Sequence, residues 1–196
     1  MGQRHVEPGD APTIEQVARR LEAEDVADVA RAAFDCAGDL AALEYGRTAS
    51  VLGACRLASR RSRRKPLSYE RLADAFGVDP ECVADAEATI ASYLTPPADA
   101  DDVRALRRTL IVAHELLDAL ECDRLHALEL PGSYLADAAP WLIGRTQRSI
   151  ESGDDVERRG LDEDELRAHV ERLEADLELA RLGTLLYADV DDVRGE

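Results

Sequence analysis

Residues 46–93, GRTASVLGACRLASRRSRRKPLSYERLADAFGVDPECVADAEATIASY, decide how the chain is read. The stretch opens with a helix for which Thr48 is the candidate N-cap and in which Val51, Leu52, Ala54, Cys55 and Ala58 leave hardly any polar face. A helix that is apolar or small nearly all round is built to be enclosed by other helices. It turns basic at its end, where Arg60, Arg61, Arg63, Arg64 and Lys65 form the densest positive cluster of the chain. Pro66 then breaks it, and Ser68 caps a short helix carrying Tyr69, Leu72, Ala73 and Phe76. Gly77 supplies the turn, and Asp79 followed by Pro80 pairs a capping side chain with proline at the first helical position. The helix that follows carries Val83, Ala86, Ile90 and Leu94 as its buried stripe.

Working outward, residues 1–12 are polar with Pro and Gly and read as a disordered tail. Thr13-Ile14-Glu15-Gln16 is a capping box, and Ile14, Val17 and Leu21 give that helix its apolar stripe. After a break at Glu24-Asp25, a second helix carries Val26, Val29, Ala33, Phe34 and Ala37 and fades near Gly38 or shortly beyond it. Downstream, residues 95–101 begin Thr-Pro-Pro-Ala-Asp and form a linker. A long helix from about Asp102 to Ala127 follows, interrupted by Pro131-Gly132-Ser133. Ser133 can cap a helix through Trp141 that Pro140 must kink or divide, and Glu151 to Asp154 reads as a polar loop. Asp162 caps a last long helix with Leu166, Val170, Leu173, Leu177 and Ala180 inward, and Gly183 stops it.

No segment alternates as a strand does, so an all-α fold is expected. It comprises a helical repeat over 13–94, a second helical unit over 102–187 and an acidic, frayed tail over 188–196. A shift of about 83 residues lays Gly77-Val78-Asp79 on Gly160-Leu161-Asp162, Val83 on Leu166, Ile90 on Leu173 and Leu94 on Leu177. That self-similarity of helix order raises a degenerate tandem repeat as one reading, with chance alignment of helical stripes as the other.

Composition narrows the setting. The 196 residues carry 41 acidic and 24 basic side chains, a formal net charge of −17, and Lys65 is the only lysine. So large an excess of one sign opposes a compact state by self-repulsion. At 1 M salt the Debye length is only about 3 Å, which screens most of that repulsion. Arg in place of Lys, dense Asp and Glu and few aromatics therefore suit a halophile cytoplasm; an acidic mesophile protein from a GC-rich genome is the alternative. Cys36, Cys55, Cys82 and Cys122 form no CxxC pair, which argues for buried reduced thiols over a zinc or redox site. No apolar run reaches the length of a membrane span, and the N-terminus lacks a hydrophobic signal region. A soluble, cytoplasmic protein is expected.

The order of elements in the first unit carries a resemblance. Ile14-Glu15-Gln16-Val17-Ala18-Arg19-Arg20-Leu21 is followed by Val29-Ala30-Arg31-Ala32-Ala33-Phe34. Gly46-Arg47-Thr48 then opens a small-residue helix that closes on Arg61. Pro66-Leu67-Ser68-Tyr69-Glu70-Arg71-Leu72-Ala73 and Gly77-Val78 complete the set. The series resembles the cyclin-like repeat of the archaeal transcription factor B and eukaryotic transcription factor IIB family over about eighty residues. The resemblance implies a five-helix repeat packed around its third helix, usually in tandem with a second. It also implies partnership with the TATA-binding protein and promoter DNA, or with another protein of the transcription machinery, in an archaeal cell. The chain departs from the family in lacking its N-terminal zinc ribbon, in having Arg60 where the family has Cys, and in opening the last long helix with Asp162-Glu163-Asp164-Glu165. Those carboxylates would repel phosphate, so reading of a promoter element by that helix is not expected.

Arg60, Arg61, Arg63, Arg64 and Lys65 are the DNA-phosphate candidates, because guanidinium and ammonium groups neutralise the backbone and release counterions. The competing reading is a solvated helix end, with the arginines placed near the negative end of the dipole or paired with local carboxylates. Residues 68–93 have the outline of a helix-turn-helix, but the second helix carries Glu81, Asp85 and Glu87 where a DNA reader offers Arg, Lys, Asn or Gln. It is expected to pack or to bind protein. Cys122 and His126 have ligand spacing without a second pair, so no metal site is expected. Trp141 reads as a packing anchor. The acidic pairs are too evenly spread to nominate a catalytic couple, and no phosphate loop or nucleophile motif is present. The chain is expected to act by binding and not as an enzyme, with no cofactor. A helical adaptor or regulator that keeps the cyclin-like scaffold without binding DNA is the alternative.

Overall fold

The computed structural model describes residues 11–63, 65–122 and 163–194, the side chains of 192–194 excepted. The fold is all-α, with no strand among the described residues. The expected tail before Ala11, the extension of the long helix to Ala127, the Ser133 to Trp141 helix with Pro140, the Glu151 to Asp154 loop, and His126, Gly160, Leu161 and Asp162 lie outside the described residues. Two compact units emerge. One comprises residues up to Pro97 together with 181–196, and the other Ala98–Ala180.

In the first unit, helix α1 (Ile14–Arg20) starts on the expected capping box: the Gln16 amide donates to Thr13 Oγ1 at 3.3 Å, and the Thr13 amide donates to Gln16 Oε1 at 3.0 Å. A 3₁₀ turn (Glu24–Val26) fills the break and leads directly into α2 (Ala27–Tyr45). This helix continues a further two turns beyond Gly38. The glycine is there for packing: a Cβ on it would fall 2.4 Å from the Phe34 ring, and its carbonyl accepts the buried Ser50 hydroxyl at 2.6 Å. Gly46, not Thr48, is the N-cap of α3 (Arg47–Arg61), because α2 and α3 join through a single residue. Ser68 caps α4 (Tyr69–Phe76), Gly77 ends it in the left-handed conformation, and Asp79 accepts from the Glu81 amide at the start of α5 (Pro80–Ser92).

The centre of this unit is α3, eleven of whose fifteen residues are buried, which leaves it almost no solvent face. It packs against α2 and α5, with Leu52, Ala54, Cys55 and Ala58 wholly inside. Burial pushes the Cys55 thiol up to about 12, so it is an inert core group. Small residues set the distance to α5: a Cβ on Gly53 would sit 2.8 Å from the Glu87 backbone nitrogen and 3.2 Å from the Ala86 Cβ.

The second unit pairs α6 (Ala100–Glu121) with α7 (Glu163–Leu182), which run antiparallel. Leu110, Ala113, Leu116 and Leu117 pack with Leu166, Val170, Leu173 and Leu177, the stripes expected from three-and-four spacing. Ala98 donates to the Ala180 carbonyl at 2.7 Å at one end, and Arg167 bridges Glu121 and Glu163 at the other.

The C-terminal boundary differs from the sequence expectation. Residues 181–196 belong with the first unit, and of the tail expected to fray over 188–196, residues 188–194 are the later part of α8 (Thr184–Arg194). Leu182, Leu186 and Val190, four residues apart, enter the same core as Val17, Val26 and Leu52. Asp189 and Asp191, both exposed, interrupt this stripe in the sequence. Gly183 makes the turn with φ +76°, and a Cβ there would fall 2.5 Å from the Thr95 carbonyl oxygen.

Two outcomes test this packing. Gly53→Ala should cost about 1–3 kcal/mol, since its Cβ meets backbone that cannot swing aside; the readout is a thermal midpoint several degrees lower in molar KCl. Glu15, hydrogen-bonded to Arg31 at 2.8 Å, has its carboxyl lowered from 4.5 to about 2. A depressed carboxylate stabilises fully above its unfolded value and loses that contribution as pH falls through the folded one. Acid titration of the unfolding midpoint should therefore show a loss between pH 4.5 and about 2 that is smaller in Glu15→Gln. Because the side chain is half exposed, molar salt should diminish the difference.

Candidate nucleic-acid interface

The five basic residues at the end of α3 do not share one environment. Helical spacing separates them first. Arg61 continues the stripe Ser50, Ala54, Leu57, Ala58, all buried, so its side chain heads into the unit. Arg60 follows Arg56 by one turn on the adjacent face, toward α4 and α5.

Arg61 is 7% exposed. Its Nη1 donates to the Leu182 carbonyl at 2.6 Å and to the Thr95 carbonyl at 3.1 Å. Burial, and secondarily the charge of Arg60, pull its pKa below the ordinary guanidinium value. An arginine nevertheless stays charged in a protein, and the two carbonyl dipoles stabilise that charge. Arg61 therefore ties the end of α3 to the turn before α8 and to the segment after α5. It is not available to a phosphate.

Arg60 donates to Glu87 Oε1 at 2.8 Å, and the Tyr69 hydroxyl donates to Glu87 Oε2 at 2.7 Å. Glu87 is 2% exposed, so both carboxylate oxygens are met inside the protein. Burial and the adjacent Glu87 raise the Tyr69 pKa. Arg56 lies over the Tyr69 ring, 4.8 Å from its centroid. The four side chains make a polar cluster joining α3, α4 and α5. Glu87 thus serves the interior and does not add to the outward charge of α5, whereas Glu81 and Asp85 are exposed and do. Sequence reasoning missed this cluster, although a signal was present: Glu87 falls on the stripe Val83, Glu87, Ile90, Leu94, where a carboxylate must find partners.

Arg63 and Lys65 are exposed beyond the helix end, and Arg64 lies outside the described residues. The connection carrying them is anchored on both sides. Ser59 Oγ accepts from the Leu67 amide at 3.0 Å, and the Ser62 amide at the end of α3 donates to the Ala58 carbonyl at 2.9 Å. The expected cluster of five thus divides: one residue is interior, one is held by a buried carboxylate, and Arg63 and Lys65 remain open.

Cys122 is exposed, and among the described residues no group of His, Cys, Asp and Glu is arranged to hold a metal ion. No helix among them is long and apolar enough to cross a membrane. No protein-family model, curated protein or solved structure matches the chain.

Replacing Arg61 by Leu leaves the Thr95 and Leu182 carbonyls without their buried donor, a loss of about 1–3 kcal/mol for each unsatisfied group. Hydrogen exchange in residues 184–194 should accelerate ahead of the rest of the first unit. Unchanged protection there would show that the apolar stripe alone holds α8.

Proposed function

We propose that the chain is a transcription-associated binding protein whose first unit is a cyclin-like repeat resembling that of the transcription factor B core. On this reading it acts mainly through protein–protein contacts made by its helical surfaces. The observation that carries the reading is the arrangement of residues 13–94. Five helices follow one another in the order the motif series implies, and the third, closing on Arg61, is enclosed by its neighbours. The Gly46 and Pro66-Leu67-Ser68 motifs fall at the helix junctions, with Leu67 buried and Ser68 capping α4.

A role on DNA rests on Arg63 and Lys65, with Arg64 beside them in sequence. So small a set of charges positions a protein on the backbone without reading bases. It contributes little in molar salt, so promoter DNA is engaged alongside a partner such as the TATA-binding protein. The adaptor reading, with no DNA contact, draws on a separate observation: Arg60 and Arg61 serve the fold, and Glu81 and Asp85 face outward from α5.

Promoter DNA binding measured over a KCl series, with and without TATA-binding protein, separates these readings. The wild-type chain should bind only with the partner present, and Arg63→Ser/Lys65→Ser should flatten the dependence of log K on log salt by roughly two phosphate contacts. Binding to the protein partner with no DNA dependence would establish the adaptor. Binding to neither would sink the transcription reading. Arg60 and Arg61 must be left in place, since changing them alters the fold.

A further inference from the structure

Four of the five large apolar side chains exposed among the described residues belong to the first unit. They are Leu40 at 48%, Leu43 at 86%, Tyr93 at 54% and Leu185 at 47%. Leu40 and Leu43 follow the exposed Cys36 at the i+4 and i+7 positions, so the three line one outward face of α2. Cys36 Sγ lies 4.0 Å from the Tyr93 carbonyl oxygen, which brings the end of α5 to the same face. Thr184 Oγ1 lies 3.1 Å from Thr95 Oγ1, which places the start of α8, and with it Leu185, close by. Beside this strip α2 exposes Asp35, Asp39 and Glu44; Asp39 is engaged only loosely, by Arg47 at 3.7 Å. Scattered exposed leucines need no explanation, but an aliphatic strip with a carboxylate border has the form of a helix-binding face.

The fifth exposed apolar residue sits in the opposite setting. Ile111 on α6, 52% exposed, follows Arg104, Arg107 and Arg108 along one outward face at the i, i+3, i+4 and i+7 positions. Arg104 pairs with Asp101 on its own helix. Arg107 and Arg108 are exposed and have no ion pair among the described residues. One face of the chain is therefore apolar with an acidic border, and another is basic with an aliphatic anchor.

We propose that the outward face of α2 is a docking surface for a second copy of this chain, which engages it with the Arg104, Arg107, Arg108 and Ile111 face of α6. Leu40 and Leu43 receive Ile111, and Arg107 and Arg108 meet Asp35, Asp39 and Glu44. The charges select the partner, because an unmodified acidic surface of the same protein would be repelled from the carboxylate border. The apolar contact supplies the affinity, since it survives the screening that molar salt imposes on the ion pairs. Each copy carries both faces, one on each unit. This inference stands apart from the transcription reading and holds or fails without it.

Sedimentation velocity of the full chain in molar KCl, over a range of concentrations, tests it. The wild type should associate to a mass above the 21.4 kDa of one chain. Leu40→Asp/Leu43→Asp and Arg107→Glu/Arg108→Glu should each sediment as single chains, with helical circular dichroism and thermal midpoints unchanged because all four sites are exposed. An equimolar mixture of the two variants should associate again, since one keeps its α6 face and the other its α2 face. A wild type that stays monomeric at every concentration overturns the proposal. So does association that survives either double substitution, or a mixture that fails to associate.

Discussion

Arg61 places a guanidinium where the helical repeat of α3 calls for a core side chain, and two backbone carbonyls meet it there, Leu182 O at 2.6 Å and Thr95 O at 3.1 Å. Those carbonyls belong to the end of α7 and to the segment leaving α5, so one side chain fixes three parts of the first unit. Its charge cannot be removed at any pH the protein meets, and an unmet buried charge is far costlier than a buried aliphatic group. The carbonyls must therefore stay where they are. Gly183 makes the same demand sterically, because only a residue without Cβ can turn against the Thr95 carbonyl. Together they bring a helix from the far end of the sequence onto the core formed by residues 14–94.

A second constraint is the enclosure of α3. A helix with almost no solvent face must let its neighbours come close, and its polar groups must be answered from within. Gly53 meets the first need against α5, and Ser50, Ser59 and Arg61 meet the second through bonds to Gly38, Leu67, Thr95 and Leu182. Glu87 shows the same logic from the α5 side, with Arg60 and Tyr69 taking its two oxygens. A buried pair of this kind adds little net stability compared with an apolar pair, but it penalises any register in which the partners miss each other. The interior polar groups thus specify how α3, α4 and α5 are set against one another.

These interior roles change what the basic cluster means. In a chain of net charge −17 a run of five cations stands out as a place for an anion. Two of them instead compensate groups of the protein itself, and the outward charge at the end of α3 is correspondingly small. The more distinctive outward features are the aliphatic strip of α2 and the arginine face of α6, neither of which is a run in the sequence. Both arise from residues that helical spacing of three and four gathers on one face. A protein-binding role accommodates both, and weak backbone contacts to nucleic acid would be secondary to it.

Much of the fold was legible in the sequence because its signals are local. The Thr13–Gln16 box, the Ser68 and Asp79 caps, the Gly77 turn and the apolar stripes each depend on residues within a turn or two, where spacing alone sets geometry. The helical class and the central place of α3 follow from them. The sequence misplaced the α3 cap at Thr48, let α2 fade near Gly38 or shortly beyond it, short of Tyr45, and left residues 188–196 as a frayed tail. Packing decides two of these, through the Phe34 ring and Ser50 for Gly38 and the core of the first unit for Leu182, Leu186 and Val190; the cap moves to Gly46 because that residue alone joins α2 and α3. The roles of the candidate residues divided in the same way. That five cations gather after Leu57 is written in the sequence. Which of them face water was settled only by tertiary structure, because a long arginine side chain goes wherever a carboxylate or carbonyl lies within its reach. For Arg60 and Arg61 those partners lie 27 and 121 residues away.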